Sequence, residues 1–110
     1  MPNTYKVLGQ IVPAAATLTT LYTCPSANSA VISTLTVCNL QNNANTTVRV
    51  AVRPSAAVIS SHHYVAYDLP LPAADSIALT LGITLAASDV VSVYSASGSV
   101  SFNLFGSEVY

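Results

Sequence analysis

Hydrophobic positions along the chain recur with a period of two, and nowhere with the 3.6-residue period of an amphipathic helix. Ile77, Leu79, Leu81, Ile83 and Leu85 alternate with Ser76, Ala78, Thr80, Gly82 and Thr84. Successive side chains of a strand point to opposite faces, so this segment reads as one strand with a buried and a lighter face. Val48, Val50 and Val52 alternate in the same way with Thr47, Arg49, Ala51 and Arg53, as do Val100, Phe102 and Leu104 with Ser99, Ser101 and Asn103. Segments 5–11, 17–23, 63–69 and 89–95 read as further strands with less clean faces. Segment 30–40 is apolar on both sides, with Val31, Leu35 and Val37 assigned to one face and Ile32, Cys38 and Leu40 to the other. A strand apolar on both faces is covered on both. In so short a chain, part of that cover is expected from another subunit.

The punctuation agrees with strands. Pro13, Pro25, Pro54, Pro70 and Pro72 fall between them, where a missing N–H costs no ladder bond. Asn42-Asn43-Ala44-Asn45 reads as a turn because Asn tolerates positive φ, and Ala87-Ser88-Asp89 as another. Ser97-Gly98 predicts a tight hairpin joining the last two strands. Segment 54–61 is either loop or a short edge strand. About eight short strands, one every 12 residues or so, predict an all-β chain: a single-domain antiparallel β-sandwich or jelly roll over residues 1–110, or else a small barrel. No internal repeat, linker or second domain is visible.

Composition narrows the partners. Only seven of 110 residues carry full charge: Lys6, Arg49, Arg53, Asp68, Asp75, Asp89 and Glu108. Three cations do not make a phosphate-tracking patch, so nucleic acid is not an expected partner. No apolar run approaches the roughly 20 residues that span a bilayer, so no membrane partner is expected either. Met1 to Gln10 lacks the apolar core of a signal peptide. With 52% hydrophobic residues and a net charge of −1, self-repulsion does little to keep copies apart. The chain is therefore expected to associate with itself, the competing expectation being a monomer solubilised by hydroxyls and amides.

Candidate chemistry is sparse. His62-His63 places neighbouring side chains on opposite sides of a strand, so the pair is poorly arranged for one metal and is expected at an exposed loop-to-strand junction. Ser60 or Ser61 with His63 and Asp68 has the members of a catalytic triad but no nucleophile elbow. Asp75 and Asp89 read as turn residues. The four acids are scattered, whereas a glycosidase needs two that converge. Asn45-Thr46-Thr47 matches a glycosylation acceptor but reads as a turn. Cys24 and Cys38 are expected as free, small core residues, with an internal disulfide the alternative. No cofactor, metal or catalytic residue is expected. Of the six tyrosines, Tyr5, Tyr22, Tyr64, Tyr67, Tyr94 and Tyr110, the exposed ones suit subunit contact or a sugar-stacking platform. Arg49 and Arg53, four apart on one strand and so on one face, suit acids of a neighbouring subunit. Arg49, Arg53, Tyr64, Tyr67, Tyr94, Val31 and Leu35 are the expected contact residues.

Seven segments, YKVLGQIVP, LYTCP, VISTLTVCN, RVAVRP, HHYVAYDLP, LTLGITLAASDVVSVY and SFNLFGSE, run from Tyr5 to Glu108. In this order the chain resembles small β-rich virion structural proteins of tailed phages, cyanophages in particular. LTLGITLAASDVV followed by SFNLFGSE is the most specific part. The resemblance implies a non-enzymatic virion component assembled in the host cytoplasm. It also implies a homotrimer that binds the outer capsid surface as a decoration or cement protein, with the major capsid protein or a neck or tail protein as partner. A neck, tail-fibre or baseplate component, or a carbohydrate-binding module for the host surface, are the alternatives.

Overall fold

Alternating side chains need two apolar layers to meet, and the computed structural model, which describes residues 3–80 and 82–109, places two antiparallel sheets face to face. The described strands are β1 (Asn3–Ile11), β2 (Thr19–Thr23), β3 (Ser29–Asn39), β4 (Thr46–Arg53), β5 (Tyr64–Leu71), β6 (Ser76–Leu79), β7 (Ile83–Leu85), β8 (Val90–Ser95) and β9 (Val100–Val109). The first sheet runs β1-β9-β3-β6, with β7 also paired to β3; the second runs β2-β8-β4-β5. If β6 and β7 are counted as one interrupted strand, the chain changes sheet at every connection except β4–β5, in the eight-strand order of a jelly roll. Of the expected all-β forms, strand order therefore selects this one.

The core is the set of inward positions that alternation marks. Val48 and Val50 of β4, Val91 and Val93 of β8 and Leu71 of β5 meet Leu35 and Val37 of β3 and Val100, Phe102 and Leu104 of β9. Each such side chain contributes about 1.5–3 kcal/mol of burial free energy. One polar group sits among them. Asn39 is 2% exposed; its Nδ2 donates to the carbonyls of Ala44 (2.9 Å), Leu71 (3.3 Å) and Pro72 (3.2 Å), and its Oδ1 accepts from Gln41 N (3.0 Å). A buried amide stripped of these partners would cost more than it contributes, so Asn39 fixes the loops around it.

Five expectations about strands and turns require correction. Segment 76–85 is not one strand: β6 pairs with Leu35–Cys38 and β7 with Ala30–Ile32, and the chain breaks between them near Gly82, whose φ is +63°. Leu81 of the predicted face lies outside the described residues, as does Tyr110. The faces of β3 were also misassigned. A bulge between Ile32 and Thr34 shifts the parity, so Ala30 and Ile32 point inward before it and Leu35, Val37 and Asn39 after it. Val31 and Leu35 thus lie on opposite faces. Third, Ser97-Gly98 is not a hairpin, because β8 and β9 belong to different sheets and the turn carries the chain between layers. Fourth, no Asn of the 42–45 turn has positive φ; Asn39 holds that turn instead. Fifth, Pro70 lies not between strands but inside β5, paired with Thr47 on the sheet edge, where its missing N–H costs little.

The irregularities line up. The β1 bulge at Leu8, the β3 bulge at Ser33 and the β6–β7 break all fall at the level of Leu104–Gly106 in β9. Bulges bend and twist a sheet locally, so one transverse crease crosses the first sheet. Gly106 sits on it, where a Cβ would run into the Val31 carbonyl oxygen and the Ile32 Cα.

Candidate interaction surfaces

The outer face of the second sheet is built from β4 and β8, which oppose Arg49 to Tyr94, Ala51 to Ser92 and Arg53 to Val90. At the Arg53 end, segment 54–63 folds back over this face. Arg53 Nε donates to Ser92 Oγ (3.1 Å) and its Nη1 to Ala57 O (3.0 Å), while Ser55 N donates to Asp89 Oδ1 (2.9 Å). Ala51, Val90 and Ser92 are buried beneath, though they lie outside the core cluster. The segment forms two short 3₁₀ turns, so it is loop and not an edge strand.

His63 closes that loop. It is buried, which corrects the expectation of an exposed histidine pair; His62 is exposed. His63 Nδ1 accepts from Ser60 N (3.0 Å), and Ser60 O accepts from His63 N (3.0 Å). Burial, then the neighbouring His62 and Arg53 charges, push the imidazole below its ordinary range. A ring nitrogen that accepts a backbone N–H is unprotonated.

At the other end, Arg49 lies between two tyrosines, its guanidinium 4.2 Å from the Tyr67 centroid and 4.3 Å from that of Tyr94. Its Nε also meets Asp68 Oδ1 at 2.6 Å. A β5 bulge makes this possible. Ala66 pairs with Val50 and Leu69 with Val48, so Tyr67 and Asp68 both oppose Arg49, and Asp68 takes φ +50°. Tyr64 stands edge-on to Tyr67 at 4.9 Å, and with Ser61 the two line a shallow depression. Tyr67 is exposed; Tyr64 and Tyr94 are half-buried. The structure therefore gathers Arg49, Tyr64, Tyr67 and Tyr94 into one cluster and puts Arg53 at the opposite end of the same face. Both arginines already have partners in their own chain.

The outer face of the first sheet differs in kind. Tyr5 and Val7 of β1, Val31 of β3 and Phe105 of β9 lie side by side over the crease and, with Lys6, Ser33, Gly106 and Ser107, line a second depression. Tyr5 is 80% exposed, Val7 47% and Val31 46%. Gln10 Nε2 donates to Asn103 Oδ1 (2.7 Å) further along. Among the described residues this face carries no charge; Lys6 lies at its rim and reaches Glu108 at 2.8 Å. Leu35, the other expected contact residue on β3, is 1% exposed and belongs to the core.

Beneath β1 lies a polar cluster that sequence reasoning did not reveal. Tyr22 OH donates to Glu108 Oε2 at 2.6 Å, and both residues are buried. Donation from Lys6 and Tyr22 outweighs desolvation and holds the Glu108 carboxyl below its usual range. Burial and the Glu108 hydrogen bond raise the Tyr22 phenol. The partners are 86 residues apart in sequence, and no local pattern announces them. Burial likewise raises the nearby Cys24 thiol, and Cys24 and Cys38 are both free.

The remaining candidates are placed separately. Asp68 is engaged by Arg49 and His63 Nδ1 by Ser60, so the triad members are not joined. Asp75 Oδ1 accepts from Ser76 N (2.8 Å), and Asp89 accepts from Ser55 N and Ala86 N (both 2.9 Å), as turn residues do. Asn45 Oδ1 accepts from Ala73 N at 3.0 Å, bridging two turns. Among the described residues no three of His, Cys, Asp and Glu gather as metal ligands, and no helix is long and apolar enough to cross a membrane. Compared with family models and with curated proteins, the chain matches none.

Proposed function

We propose that this chain is a non-enzymatic structural protein of a phage particle, present in many copies on the outer capsid surface as a homotrimeric decoration or cement protein. The observation that carries this reading is a jelly roll whose one sheet face is self-covered and charged while the other is open, apolar and uncharged. Jelly rolls build viral shells, though they also serve as lectins and cupins, so fold alone does not assign the role. A charge-free face is buried without the cost of desolvating unpaired ions. The sequence resemblance supplies the virion, the trimer and the major capsid protein as partner. Quantitative mass spectrometry with cryo-electron microscopy of purified particles tests this. Hundreds of copies on the shell are expected; a few to tens at the neck, tail fibre or baseplate would move the protein there; none at all would end the reading.

A second reading has its own observation. The depression at Ser61, Tyr64 and Tyr67 offers aromatic surface beside hydroxyls, the chemistry of a carbohydrate-binding module for the host surface. Glycan-array binding lost in Tyr67→Ala would support it, and unaltered host adsorption in that variant would exclude it.

A further inference from the structure

We infer that the outer face of the first sheet, centred on Tyr5, Val7, Val31 and Phe105, is the surface through which one copy of this chain packs against a second copy. This deepens the shell reading by naming its contact, and rests on that reading only for the expectation that copies meet. The charge distribution comes first. Arg49, Arg53 and Asp68 lie on the outer face of the second sheet, Asp75 and Asp89 sit in turns, and Lys6 and Glu108 pair at the β1 edge. Only Lys6 borders the face in question, and its ammonium is engaged by Glu108. A partner of opposite charge has nothing to recognise there, whereas a neutral surface of a second copy meets no repulsion and strands no ion.

Chemistry and area agree. Tyrosine, phenylalanine and valine flanked by Ser33, Ser107, Thr36, Gln10 and Asn103 make an apolar centre with an uncharged polar rim, the layout of a self-association interface. β1, β9 and β3, nine to eleven residues long, with the shorter β6 and β7 beside β3, give at strand spacings of about 4.8 Å a face of roughly 19 by 30 Å. Two such faces together approach the roughly 1,200 Å² at which specific interfaces begin. The second sheet offers no equivalent, because segment 54–63 and the Arg49–tyrosine stack already cover it.

Sedimentation equilibrium on the intact protein, with Val31→Lys and Tyr5→Lys beside Tyr67→Ala, tests the inference. Val31 and Tyr5 are exposed in the single chain, so the lysines leave the fold intact, which circular dichroism verifies. Wild type is expected as an oligomer at micromolar concentration. Each lysine should weaken association by about 100-fold or more, since it buries an unpaired charge in the contact, and Tyr67→Ala should leave it unchanged. Association that survives both lysines, or a monomeric wild type, overturns the inference. A monomeric wild type that loses particle binding on Val31→Lys overturns it in favour of another virion protein as occupant. Lysine variants that fail to associate, from a protein absent from particles, uphold this contact while refuting the virion reading.

Discussion

Single side chains carry the acid sensitivity of this protein. His63 accepts a backbone N–H at Nδ1 and its folded pKa is lowered, so the folded state binds fewer protons than the unfolded chain once pH falls below about 6.5. Its stabilising contribution is present above that pH and is lost as pH drops through the lowered value; thermal melts should show this slope, and His63→Gln should remove it. Glu108 acts in the same direction in a lower window. Its carboxylate contribution is present above the ordinary carboxyl range and is lost as pH falls through its depressed value. Tyr22→Phe removes a hydrogen bond to that buried carboxylate and should cost about 1–3 kcal/mol in urea titrations. Ala74 presents a different case: it holds φ +56°, a region costing a residue with a Cβ about 1–2 kcal/mol. Ala74→Gly should therefore raise stability, by about 0.5–1 kcal/mol after the added chain entropy is subtracted. None of these roles was legible in the sequence, because each depends on a partner or a backbone conformation that only the fold supplies.

At the scale of elements, legibility was high where strands are regular and failed where they bulge. The alternations around Val48–Val52 and Val100–Leu104 predicted both the strands and their inward faces. In β3 an extra residue at Ser33 reverses parity, and a pattern of period two holds no sign of it. The same blindness applied to β5, where the bulge brings both Tyr67 and Asp68 to Arg49. Arg49→Lys keeps the charge but gives up the planar stack between two rings, and should lower the melting temperature slightly. Tight turns misled in another way: Ser97-Gly98 has hairpin composition, yet its flanking strands pair elsewhere, a decision made by long-range burial. Gly106 marks the crease across the first sheet. Gly106→Ala meets backbone on β3, and should destabilise by about 1–3 kcal/mol. A full-strength variant would show that the crease relaxes freely.

For the molecule as a whole, scarcity of charge pointed to self-association, but composition has no spatial content. The contact residues expected from sequence favoured arginines and tyrosines, and the fold engages most of them within one chain. The uncovered face is instead marked by Val31, together with Tyr5, Val7 and Phe105, which alternation alone could not group. Edge strands bear on the same question. β1 exposes one side of a nine-residue ladder, and Lys6 along it is the kind of residue that discourages unwanted strand addition. Assembly through a face, with edges guarded, gives closed oligomers where edge pairing would give open-ended stacks. The pairing of Asn3 with Val109 has a mechanical corollary. Tension applied at Asn3 and Val109 loads an antiparallel ladder at its first rung and opens it one rung at a time, so optical-tweezers traces should show yielding at low force. A coat built from such units would have to carry internal pressure through lateral contacts, leaving that rung unloaded.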